Sequence, residues 1–207
     1  MKLLTEDIKP FDILVESNDA GEKQMFIEGK FLSAERKNAN GRVYPKAVME
    51  KAVNRFEREF MNTGTAMGEL EHPPRPNVKL EEAAIVIESL KWDTNGIDIM
   101  GRAKVLNTPK GQILKGLLEG GIKLGVSSRG LGSLKKLRNG LMEVQSDFRL
   151  GAIDVVSTPS GDGCYVDAIM ESVDWIEENG EWIQKEPVNE AAVLESLKEW
   201  SKTKEWA

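Results

Sequence analysis

At 207 residues the chain is long enough for one domain with a full hydrophobic core. Its 34 acidic and 28 basic side chains leave a net charge of −6, so no broad basic footprint for nucleic acid or an anionic membrane is present, although Lys135, Lys136 and Arg138 cluster locally. One cysteine, Cys164, and one histidine, His72, exclude an intrachain disulfide, a multi-cysteine zinc site and any metal site needing two imidazoles, leaving carboxylates alone as ligands for magnesium or calcium.

The run Met1-Lys2-Leu3-Leu4-Thr5-Glu6-Asp7 turns charged after two leucines, so no secretory leader is expected, and no apolar stretch approaches a membrane span. Strands are predicted over residues 11–16 and 24–35, the second with Gly29 as a bulge. Asn40-Gly41 signals a turn and Pro45 suits the first turn of a helix. That helix carries Val48, Ala52, Phe56 and Phe60 at four-residue spacing, widened by Met49 and Val53, a stripe that reads as core packing. After a turn at residues 62–64, His72 stands at the end of a short segment, followed by Pro73, Pro74 and Pro76. Three prolines forbid helix and hold the backbone stiff and extended, so the histidine has a rigid support.

Strands at 82–92 and 97–106 are joined by Asp93-Thr94-Asn95-Gly96, a hairpin signal. A helix over Pro109–Glu119 has Thr108 as N-cap, Ile113, Leu114, Leu117 and Leu118 as its apolar face, and Gly120-Gly121 as its stop. A strand over 122–128 then runs into Gly125-Val126-Ser127-Ser128-Arg129-Gly130-Leu131-Gly132-Ser133. Three glycines in nine residues read as a bulged strand end or a loop. Strand patterns resume over 141–148 and 150–156, either side of Arg149 and beyond an Asn139-Gly140 turn. Asp154 sits there in an apolar run, where an ionised carboxylate is costly unless paired. A glycine-bearing loop over 157–163 leads to a further strand over 164–169. An acidic region with a small hairpin around Asn179-Gly180 follows, then a last helix from Asn189 with Val193, Leu197 and Trp200 on one face. With about eight short strands that do not alternate with helices, the fold expected is α+β, a mainly antiparallel β-barrel or closed sheet with two or three peripheral helices.

Serine hydrolysis needs an accessible hydroxyl, an imidazole, a group to hold it, and oxyanion donors. His72 is the sole imidazole, and the polar residues oddly placed in apolar or glycine-rich surroundings are Ser127, Ser128 and Asp154. Neighbouring strand residues face opposite ways, so only one of the two serines can meet His72. The segment does not fit Gly-x-Ser-x-Gly in either register, so the nucleophile elbow of an α/β-hydrolase is absent. A thiol enzyme using Cys164, and a serine-lysine dyad using Lys123 or Lys135, remain open on the residues alone.

Four features, Arg42-Val43-Tyr44-Pro45, Gly68-Glu69-Leu70-Glu71-His72-Pro73-Pro74-Arg75, the stretch Gly125 to Ser133, and the apolar-flanked Asp154, span residues 24–168 in an order that resembles the prohead core proteases of T-even-type tailed bacteriophages. These are similar in fold to the herpesvirus assemblin proteases. The resemblance implies His72 as general base, Ser127 as nucleophile and Asp154 as the group orienting His72, with Asp147, Glu69 and Glu71 as competitors for the third role. Arg129 and Gly130 are the expected oxyanion donors, with the loop over 161–163 as rival. The resemblance also implies cleavage of capsid shell and scaffold proteins inside the immature prohead, in the host cytoplasm, after a glutamate in Ile-x-Glu or Leu-x-Glu. Arg75 or Arg129 would then receive that glutamate. Self-cleavage is expected at Ile169-Met170-Glu171 and Leu197-Lys198-Glu199, with residues 1–170 as the protease domain and 171–207 as a removable segment. No metal or organic cofactor, no nucleic-acid or membrane partner, and a homo-oligomer as an open alternative complete the expectations. The competing reading is a non-catalytic capsid-core or scaffold component, for which His72 Nε2 has no reason to approach Ser127 Oγ.

Overall fold

A computed structural model describes residues 2–8, 12–17, 23–157, 175–178 and 181–184. In chain order the elements are β1 (Lys2–Ile8), β2 (Asp12–Ser17), β3 (Lys23–Ser33), β4 (Arg42–Val43), α1 (Lys46–Phe56), β5 (Met67–Glu69), β6 (Ala83–Trp92), β7 (Asp98–Val105), α2 (Pro109–Glu119), β8 (Leu124–Gly132), β9 (Leu134–Lys136), β10 (Met142–Val144), β11 (Arg149–Ser157), β12 (Trp175–Glu178) and β13 (Glu181–Gln184).

The larger sheet has the order β2-β3-β7-β6-β5, antiparallel throughout. Its centre is the predicted hairpin: Gly96 takes a left-handed φ of 65°, and the Asn95 side chain accepts from the Ile97 and Asp98 amides. The bulge expected at Gly29 falls instead between Lys30 and Leu32, where Phe31 is the extra residue and is fully buried. Gly101 makes room for it, since a Cβ there would lie 2.2 Å from the Phe31 ring. On the outer face Arg102 of β7 bonds Glu16, Glu28 and Glu88, one from each of β2, β3 and β6.

The second sheet has the order β1-β8-β11, again antiparallel. Here two expectations change and one strand is new. The glycine-rich stretch continues as strand through Gly132, with all nine residues of β8 buried. The strand pattern at 141–148 shrinks to Met142–Val144, which joins β4 and β9 in a small separate sheet. β1, which the sequence reading left without structure, pairs along β8 from Lys2↔Gly132 to Ile8↔Val126.

A closed barrel is not what the described residues form. They make distinct sheets, and the five- and three-stranded ones meet at one parallel bridge, Leu70↔Val155, where the chain leaving β5 runs beside β11. Gly68 permits this approach, because a Cβ there would fall 1.9 Å from the Ile153 carbonyl oxygen.

α1 packs its predicted stripe against β11, burying Met49, Ala52, Val53 and Phe56, and then loosens into a π-turn at Glu57–Met61. α2 has the predicted bounds and the predicted cap, with Thr108 Oγ1 accepting from the Gly111 amide. Only part of its predicted apolar face is covered: Leu114 and Leu118 are buried against β6 and β7, while Ile113 and Leu117 are exposed. The small acidic hairpin is present as β12 and β13. The predicted strand at 164–169 and the helix from Asn189 lie outside the described residues.

Candidate active site

In an antiparallel ladder, directly opposed residues share a face. The register sets Asp154 of β11 against Ser127 of β8, and Ile153 against Ser128. Ser127 and Asp154 therefore project together, and Ser128 projects with Ile153 on the other side. Both serines are buried, so it is facing rather than exposure that separates them.

His72 comes from the other sheet. Past the Leu70↔Val155 bridge, the Glu71 amide donates to the Val155 carbonyl at 2.8 Å, and Glu71 itself takes a left-handed φ of 59°. That conformation is uncommon for a residue with a Cβ, and it swings the chain so that His72 lies over β11 and β8. His72 Nδ1 lies 3.1 Å from Asp154 Oδ2, and its Nε2 is hydrogen-bonded to Ser127 Oγ. The imidazole is nearly enclosed, its side chain 13% exposed.

Asp154 is fully buried and accepts from the Glu69 amide at 3.0 Å, from Arg129 Nε at 2.7 Å and Nη2 at 3.0 Å, and from His72. Burial pushes its pKa up, but the hydrogen bonds from His72 and Arg129, with the Arg129 charge beside it, outweigh burial and hold the carboxyl below its ordinary range. Arg129, also fully buried, turns Nη1 to the carbonyls of Arg75 at 2.6 Å and Asn77 at 3.1 Å. Glu69 completes the network: its carboxylate accepts from Arg75 Nη1 at 2.9 Å and from the Lys79 amide at 2.5 Å, with Arg129 Nη2 at 3.5 Å. One buried set of charges thus pins the proline-stiffened segment after His72 onto β8.

Several expectations are corrected by this arrangement. Arg129 does not face an incoming glutamate, because its guanidinium is enclosed and bound to Asp154 and two carbonyls. Arg75 is committed to Glu69 and to the Asn77 carbonyl. The backbone amides of Arg129 and Gly130 are not free oxyanion donors: both residues lie within β8, paired with Thr5 and Leu4 on one side and with Ala152 and Leu150 on the other. Gly130 instead makes room for its neighbours, since a Cβ would lie 2.5 Å from the Arg149 carbonyl oxygen and 2.7 Å from the Phe148 ring.

The competitors for the role beside His72 are engaged elsewhere. Asp147 accepts from the Ser133 hydroxyl and amide at 2.6 and 3.0 Å, and Glu71 accepts from the Ser157 amide at 3.2 Å. Lys123 and Lys135 are exposed, Lys135 on β9 in a different sheet. Cys164 and the 161–163 loop lie outside the described residues. Among the described residues no group of three metal-ligating side chains could hold an ion, and no helix is long and apolar enough to cross a membrane. Sequence reasoning missed Glu69 and Arg129 as the supports of Asp154. The usable signal was a second charge two residues beyond Ser127 in a buried strand, the same anomaly that drew attention to Asp154.

Comparison with known proteins decides the family. The profile of the prohead core protein serine proteases matches residues 6–174. The chain belongs to that family. It is 43% identical over 145 residues to the prohead core protein protease of Enterobacteria phage T4, covering 69% of this chain and 68% of the relative. Its fold is similar to the solved structure of the bacteriophage T4 capsid assembly protease, gp21, with a TM-score of 0.72 and 39% identity over 76% of this chain and 98% of that one. The protein is a bacteriophage prohead protease, and its α+β, mostly antiparallel architecture with two described helices is that of the T4 enzyme.

Proposed function

We propose that this prohead core protease is a serine endopeptidase that cleaves capsid shell and scaffold proteins inside the immature prohead, with Ser127 as nucleophile, His72 as general base and Asp154 as the group orienting His72. The observation that carries the reading is the hydrogen-bonded series Asp154, His72, Ser127, built from two sheets around the chain's one imidazole. Ser127 Oγ attacks the carbonyl carbon of the scissile bond while its proton passes to His72 Nε2. The tetrahedral intermediate collapses with release of the amine, which takes that proton from His72. Water then repeats the sequence on the acyl-enzyme and frees Ser127. Asp154, accepting from Nδ1–H, keeps Nε2 as the acceptor and stabilises the imidazolium formed in each half.

With the Arg129 and Gly130 amides in the ladder, the 161–163 loop takes over as candidate for the oxyanion donors. Cleavage after glutamate in Ile-x-Glu or Leu-x-Glu, self-cleavage at Ile169-Met170-Glu171 and Leu197-Lys198-Glu199, and removal of residues 171–207 from a protease domain over 1–170 belong to the same proposal. A non-catalytic scaffold role gives no reason for an imidazole to be held between a buried carboxylate and a buried serine.

The test is incubation of the full chain with a peptide containing Ile-x-Glu, mapping the cut and the site of a fluorophosphonate adduct. We expect the adduct on Ser127 and loss of cleavage in Ser127→Ala and His72→Ala. Undiminished cleavage by Ser127→Ala would rule the assignment out.

A further inference from the structure

The strand that carries Ser127 has two edges. One is taken by β11, which supplies Asp154; the other is taken by β1. β1 runs antiparallel past the site in the register Leu4↔Gly130, Thr5↔Arg129, Glu6↔Ser128 and Asp7↔Ser127, so Asp7 lies directly opposite the candidate nucleophile. Among the described residues β8 is its only strand partner.

An extended polypeptide that must reach a nucleophile set in a strand has a general way to dock. It adds itself as a further strand, its main chain completing the ladder and alternate side chains entering pockets. Beside Ser127 the β11 edge is closed by a strand the site requires, which leaves the edge held by β1. β1 also fills a pocket there: Leu4 is fully buried, belongs to the core cluster that includes Phe148, and has its Cδ1 3.3 Å from the point a Cβ on Gly132 would occupy.

We infer that the outer edge of β8 is the docking edge for an extended polypeptide substrate, and that β1 holds this edge in cis as a substrate-like strand which the substrate must displace. The inference rests on the protease reading above. Its energetic consequence is simple: the apparent affinity for substrate is lowered by the fraction of molecules whose edge is free.

Leu4→Ser in the full chain weakens the hold of β1 without deleting it. For the Ile-x-Glu peptide we expect KM to fall by about fivefold or more with no fall in kcat, since raising the free fraction raises apparent affinity in proportion. Structural damage from losing a buried leucine moves these constants the other way. A folded Leu4→Ser chain with KM unchanged or raised would overturn the inference. Hydrogen exchange of the full-length Ser127→Ala chain provides a test that needs no change in β1. Saturation with the same peptide should speed exchange of the amides of residues 2–8, and β1 amides that stay protected in the complex would equally overturn it. If the unaltered chain shows no Ser127-dependent cleavage, the protease reading fails first and this inference falls with it.

Discussion

Asp154 has its pKa held down despite burial that opposes ionisation, so its environment is coupled to pH. A group whose folded pKa is depressed contributes stability above its ordinary titration range and loses that contribution as pH falls through the folded value. We therefore expect stability to fall steeply below about pH 4, the usual aspartate range, in the native chain, and less steeply in Asp154→Asn, as read by urea unfolding at stepped pH. The same substitution turns an amide donor toward Arg129 and removes the acceptor that fixes the His72 tautomer; a loss of about 10⁴ in kcat is expected, the scale seen when such an orienting aspartate is changed elsewhere. Arg129→Met leaves the Asp154 charge buried without its guanidinium partner, and unfolding measurements should report a loss of roughly 3–5 kcal/mol. Asp154 was legible in the sequence because a charge among Ala152, Ile153, Val155 and Val156 demands a reason. Arg129 demanded one equally, but assigning it to a substrate glutamate overlooked the nearer debtor, because register, which sets Asp154 opposite Ser127, is not written in one strand alone.

At the scale of elements, local chemistry carried the reading a long way. The hairpin at Asn95-Gly96, the start and cap of α2 and the stripe of α1 all follow from short-range rules, and all are found where those rules put them. What misled was glycine. Gly125, Gly130 and Gly132 looked like a strand giving out, whereas they belong to a central strand so crowded by Phe148 and the β11 backbone that side chains at Gly130 and Gly132 have little room. Gly68 makes the sharpest case. Alanine there would place a methyl against the Ile153 carbonyl, a backbone atom that cannot rotate aside, and would drive β5 from β11. Since His72 hangs from that junction, Gly68→Ala should lower stability by about 1–3 kcal/mol, the usual cost of overpacking, and lower kcat disproportionately. Thermal unfolding and peptide cleavage measured on one preparation separate the two effects. β1 went unread because its residues carry neither clear alternation nor a turn signal, and its strand character comes from the partner it lies beside.

For the molecule as a whole, counting strands predicted an antiparallel protein and could not predict how the sheets close. Closure depends on pairings between distant strands, and among the described residues one bridge alone joins the ladder of the five-stranded sheet to that of β1, β8 and β11, where the segment after β5 runs beside β11. The order of the motifs along the chain was enough to indicate the family, because the histidine and serine segments are long and specific, while the way they meet needed the three-dimensional register. That meeting has a physical consequence. The imidazole hangs from the segment that leaves β5, while the hydroxyl and carboxylate stand on β8 and β11, so the site exists only while the seam between them is shut. Partial opening of a protein can separate such units at a lower free energy than global unfolding. Peptide cleavage should therefore disappear at lower urea than far-UV circular dichroism; coincident transitions would show that the sheets part only together with the rest. With a single imidazole in the chain, the ring nitrogens of ¹⁵N-labelled histidine yield one unambiguous pair of NMR signals, a native beacon for that seam which reports its closure, its tautomer and its protonation without any added label.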